Sequence, residues 1–137
     1  MIENLTTLKT AIENKLKAID GLALVYGYEK GELAQYPAAA IYSTDYNPSY
    51  LDTTSDRDVI VFTIRVYQEI SAQNPENAEQ IVDNLLVKIV QAFQVDYTLG
   101  GACDKMTISA SKGWVSREAQ NRAATITLTT EKLSRII

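Results

Sequence analysis

From Val59 to Ile70 the sequence alternates: Ile60, Phe62, Ile64 and Val66 are apolar, whereas Thr63, Arg65 and Glu69 between them are polar. Successive side chains of a strand point to opposite faces, so this period of two commits one face of a sheet to a core. The other face is mixed, because Val59, Val61 and Tyr67 stand among its polar residues. It is expected to be covered by something else. A helix start follows at Asn74-Pro75-Glu76: a capping side chain, a proline in the first turn and an acid near the positive end of the helix dipole. Ala78, Ile81, Val82, Leu85, Leu86, Ile89, Val90 and Phe93 then form a wide apolar stripe. A half-buried strand followed by an amphipathic helix predicts a sheet with that helix laid across it.

The remaining segments fit the same frame. Ile2, Leu5, Leu8, Ile12, Leu16 and Ile19 share one face of a first helix, with Gly21 where a helix cap is expected. Leu22 to Tyr26 and Ala38 to Tyr42, the latter just after Pro37, read as short buried strands separated by a polar turn. Beyond Gly100-Gly101, Lys105 to Ala110 and Ala123 to Thr130 alternate apolar with Thr, Ser and Lys, the signature of a hairpin with a polar outer face. The order predicts an α+β fold: two layers, a mostly antiparallel sheet with two helices packed on one face. The whole chain, 1–137, reads as one domain. Its core is expected to contain Leu8, Ile12, Leu16, Ile60, Phe62, Ile64, Leu85, Ile89 and Phe93.

Ser43 to Asp56 reads as the longest irregular stretch, with an Asn47-Pro48 step and a Thr/Ser/Asp cluster. It is acidic: Asp45, Asp52, Asp56 and, just beyond, Asp58 are opposed by Arg57 alone. A long acidic loop at 43–56, mobile in the isolated subunit and ordered by a partner, is the expectation.

Chemistry is thinly provided. The chain has no histidine, which removes the commonest general base and metal ligand, and its single cysteine, Cys103, has no intrachain partner. Cys103 reads as a small, semi-buried residue at a strand start. Asp45, Asp52, Asp56 and Asp58 lack the spacing and glycine of a calcium loop. Gly100-Gly101 is a turn, since no Gly-Lys-Ser/Thr follows. Lys112, Arg117 and Arg122 near Trp114 read as a solvated hairpin tip rather than a nucleic-acid patch, and the net charge of −4 opposes nonspecific binding to phosphate. No catalytic, cofactor or metal site is expected. The start of the chain lacks a secretory pattern, and no apolar run approaches a membrane span, so no membrane partner is expected.

The helix ending at Asp20-Gly21, the Ala38-Ala39-Ala40-Ile41-Tyr42 strand, Val59 to Ile70, Asn74-Pro75 to Phe93 and the hairpin containing Trp114 together resemble the tail terminator (tail completion) proteins of long-tailed bacteriophages. The resemblance is one of size and element order over nearly the whole chain. It implies a structural virion protein, assembled in the host cytoplasm and located in the tail or neck. It further implies a ring, usually of six copies, that caps the tail tube, joins it to the head connector and passes DNA through its lumen without specific binding. The partners so implied are further copies of the chain, the tail tube protein and the head–tail connector protein. Other neck or minor tail proteins, and a small-molecule-binding or regulatory α+β domain, are the alternatives.

Contact residues are expected where apolar or tyrosine side chains have no core position. Tyr46 and Tyr50 fall in the acidic stretch; Val59, Val61 and Tyr67 form the second face of the long strand; Thr125, Thr127 and Thr129 suit the polar rim of the same contact. The ring is expected to assemble through sheet edges or faces.

Overall fold

The computed structural model describes residues 2–22, 24–27, 37–50, 55–69, 75–116 and 120–135. The elements are α1 (Ile2–Lys17), β1 (Leu24–Tyr26), β2 (Ala38–Tyr50), β3 (Ser55–Glu69), α2 (Pro75–Val95), β4 (Lys105–Ser116) and β5 (Gln120–Arg135). The strands form one five-stranded sheet in the order β1-β2-β3-β5-β4. Only the β1–β2 pair is parallel; the others are antiparallel. The fold is α+β, with a mostly antiparallel sheet and two helices.

Period-two alternation carries one face of each strand into a single core. Ile60, Phe62, Ile64 and Val66 of β3, Ala124, Ile126 and Leu128 of β5, and Ala39 and Ile41 of β2 meet Leu8, Ile12 and Leu16 of α1 and Val82, Leu85, Ile89 and Phe93 of α2. All nine expected core residues are in this cluster. Both helices therefore pack on the same side of the sheet.

The connections are fixed by few groups. Gly21, just after α1, has φ +106°, and a Cβ there would stand 3.3 Å from Leu85 Cδ2, so glycine meets both a backbone and a packing demand. The Lys88 ammonium donates to the Asp20 carbonyl at 3.2 Å, tying the end of α1 to α2. After α2, Leu99 takes φ +52°, an uncommon conformation for a branched side chain, which its burial at 6% exposure helps to hold.

Ser43 to Tyr50, expected to be irregular, are strand instead. β2 continues to Tyr50 and pairs with β3 as far as Tyr50↔Asp56. The pairing shifts between Ser43 and Asp45, leaving Thr44 as an extra residue that bulges out of register. Its hydroxyl donates to the Val61 carbonyl at 3.3 Å. The bulge reverses which residues of β2 face the helices: Ile41 before it and Tyr46 after it both reach the core. Residues 51–54 of the expected loop, residues 117–119 between β4 and β5, and the Asn74 cap lie outside the described residues.

Candidate functional site

The second face of the sheet is a grid set by strand register. Across β2, β3, β5 and β4 its rows read Ala38-Tyr67-Ala123-Gly113, Ala40-Arg65-Thr125-Ser111, Tyr42-Thr63-Thr127-Ser109, Asp45-Val61-Thr129-Thr107 and Asn47-Val59-Glu131-Lys105. Five of the expected contact residues, Val59, Val61, Thr125, Thr127 and Thr129, are thus neighbours on one surface, and all five are partly exposed. The helices lie on the opposite side.

The first row departs from the expectation. Tyr67 is on this face but fully buried, flanked by Ala38 at 0% and Ala123 at 3% exposure. Small side chains on both sides leave space for its ring, and the Arg65 guanidinium lies 5.3 Å from the ring centroid. Tyr67 is a packing residue, not an open contact. Tyr46 is corrected too: it pairs with Ile60 and packs against the helix-side core, on the opposite face from Val61. Tyr50 is paired with Asp56 at the far end of the β2–β3 hairpin, and its side chain lies outside the described residues.

The lower rim of the grid is charged. Glu131 bridges Arg57 at 3.2 Å and Lys105 at 3.0 Å. Above it, hydroxyls of Thr107, Ser109 and Ser111 on β4 and Thr125, Thr127 and Thr129 on β5 form a polar field, with Val59 and Val61 beside it. Such a surface offers hydrogen bonds and moderate apolar area to a partner.

The two acidic side chains described in the β2–β3 hairpin, Asp45 and Asp58, do not converge. Asp45 is exposed on the open face, while Asp58 is only 1% exposed on the helix side, opposite Lys132 in the ladder. Asp58 Oδ1 has no hydrogen-bond partner, a desolvated oxygen that costs stability. No group of three or more potential metal ligands occurs among the described residues. Asp52 lies outside them.

Two cations of the β4–β5 hairpin, Lys112 and Arg122, are held by α2. Lys112 donates to Asp83 at 2.7 Å and lies 4.0 Å from Glu79, and Arg122 donates to Glu79 at 3.5 Å and to the Gly113 carbonyl at 2.9 Å. These acids hold the hairpin to the helix and neutralise a would-be phosphate patch; Arg117 and the Trp114 side chain lie outside the described residues. Cys103 is 2% exposed, and burial, aided by Asp104, pushes its thiol up to about 11. At neutral pH it is therefore a thiol rather than a nucleophilic thiolate. Among the described residues, no helix is long and apolar enough to cross a membrane. Compared with models of known protein families and with curated proteins, the chain has no match.

Proposed function

We propose that the chain is a structural subunit of a homo-oligomeric ring in a phage tail, with tail termination as its station. In this reading the ring caps the tail tube, meets the head connector and lets DNA pass through its lumen. The observation that carries it is the grid on the open sheet face, where Val59 and Val61 lie beside a continuous field of threonine and serine hydroxyls, with both described helices on the opposite side. A partner that covers this surface removes apolar area from water and satisfies hydroxyls that alternate regularly along the strands. One repeated head-to-tail contact closes a ring when the rotation permits. The element order shared with tail terminator proteins supplies the rest, and the chain's net negative charge suits a channel along which DNA slides without sticking.

The mass of the purified protein in solution, with electron microscopy of the same sample, tests the reading. A closed ring is expected. Val61→Glu places a charge in the middle of the grid, and should reduce the ring to folded subunits with an unchanged circular dichroism spectrum. A wild-type protein that stays monomeric at high concentration sinks the ring; a Val61→Glu protein that still forms rings of full mass removes this face from the contact.

A further inference from the structure

We infer that the open sheet face of one copy receives α2 of the next copy, its outer side laid along β3, β5 and β4 with Val95 beside Val59. This deepens the ring reading and rests on it. A head-to-tail contact joins two unlike patches, so the open face needs a counterpart elsewhere on the same chain. The open face carries hydroxyls and two valines at its centre and charges at its lower rim. Its counterpart must therefore be uncharged at the centre, offer some apolar area, and answer hydroxyls with groups that both donate and accept.

The outer side of α2 meets these terms. Gln80, Asn84, Val87, Gln91 and Val95 are spaced by three or four along the helix, away from its buried residues, and all five are exposed. None of them is charged, and a side-chain amide both donates and accepts, as a hydroxyl does. Among the described residues the exposed large hydrophobic side chains are Val87 at 54%, Val95 at 86% and Tyr97 at 56%. Two of these belong to the stripe, and the third follows the helix directly. Because α2 and the open face lie on opposite sides of the sheet, one copy can offer its open face to one neighbour and its α2 to another.

The dimensions agree. From Val59 to Arg65 the open face of β3 is about 20 Å long, and from Gln80 to Val95 the helix stripe is about 22 Å long. Across β3, β5 and β4 the outer strand axes stand about 10 Å apart, which is the width of one helix, about 10 Å.

Charge and apolar content set the direction. At the lower rim the side chains of Arg57 and Lys105 are 45% and 64% exposed, against 18% for the Glu131 between them. α2 has no basic residue in its last turn to offset the partial negative charge of its C-terminal carbonyls. Laying that end on the rim brings the two cations of one copy to the helix terminus of the next. It also matches the valines, since Val59 and Val61 lie toward the rim and Val87 and Val95 in the C-terminal half of α2. Gln91, about one turn before Val95, then comes level with the row of Val61, Thr129 and Thr107.

Mixing two variants tests the junction. Val61→Glu blocks the open face and leaves α2 intact, and Val87→Glu does the reverse. Each alone should reduce rings to folded subunits. An equimolar mixture should give a dimer and nothing larger by sedimentation, because one sound junction remains for each unlike pair. Val95→Lys is the third variant. A lysine near a helix C-terminus does not weaken the helix, yet facing Arg57 and Lys105 it should weaken assembly by about tenfold or more at low salt. Rings of full mass and strength from both Val87→Glu and Val95→Lys overturn the junction while leaving the ring intact. A mixture that stays monomeric at high concentration overturns the junction too. Open filaments of the wild type, broken by the same variants, keep the junction and overturn the closed ring. A wild-type protein that is monomeric at every concentration overturns both.

Discussion

The two faces of the sheet are written by the same strands and behave differently. On β3, Ile60, Phe62, Ile64 and Val66 are wholly buried under the helices, whereas Val59, Val61 and Arg65 between them stay partly exposed. On β5, Ala124, Ile126 and Leu128 are buried and Thr125, Thr127 and Thr129 are not. The helix-side face is close-packed, where removing a group leaves a cavity; the open face is a surface whose hydroxyls already meet solvent. Stability should therefore reside on one face and assembly on the other.

The sharpest test of that division is a matched pair of truncations. Phe62→Ala should destabilise the subunit by about 3–5 kcal/mol, and Thr127→Ala, an open-face threonine in the neighbouring strand, by no more than about 0.5 kcal/mol. Chemical denaturation of both variants reads this directly, and equal losses would dissolve the distinction. Tyr67, like Ala38, Ala40, Thr63 and Ala123 on the same face, limits the comparison. It lies on the open face but is fully buried, so Tyr67→Ala is expected to behave as a core truncation, at about 3 kcal/mol or more. A near-neutral result would return Tyr67 to the contact surface.

A further small effect concerns neither face. Asp96 accepts from the Gly100 backbone N–H at 3.0 Å and from Lys15 at 3.1 Å, and the first of these, then the second, holds its carboxyl below the usual value. A carboxyl lowered in the folded state contributes stability above its unfolded value, and that contribution is lost as pH falls through its folded one. The group is partly exposed and screened, so Asp96→Asn should cost less than about 1 kcal/mol at neutral pH. The difference from wild type should shrink to nothing in strong acid; a gap that persists there assigns the effect to packing.

Where period and structure agreed, the sequence was readable: the α2 stripe and the even positions of β3 could be assigned to the core because nothing interrupts their spacing. The first half of the β2–β3 hairpin could not. Ile41 and Tyr46 reach the same core although they are an odd number of residues apart, because Thr44 inserts an extra step. With alternation broken there, Asn47-Pro48 and the neighbouring Ser, Thr and Asp carry only a turn signal, and pairing with β3 overrides it. Of the expected contact residues, the shared face of Val59, Val61, Thr125, Thr127 and Thr129 was legible from parity alone. The burial of Tyr67 was not, since parity assigns a residue to a face and not its exposure on that face. The helix-bound state of Lys112 and Arg122 depends likewise on Glu79 and Asp83, which belong to another element.

The strand order has a consequence for how the molecule comes into being. β5 follows the other four strands of the sheet along the chain, yet it lies inside the sheet, between β3 and β4. The β2–β3 hairpin is local and can form early, but β3 then waits with a bare inner edge until residues 120–135 exist to occupy it. During that interval the nascent chain exposes Ile60, Phe62 and Ile64 beside unpaired backbone, the combination that draws chains into non-native association. Yield in the cell should accordingly depend on how quickly the C-terminal strand follows, more than on the equilibrium strength of the finished core.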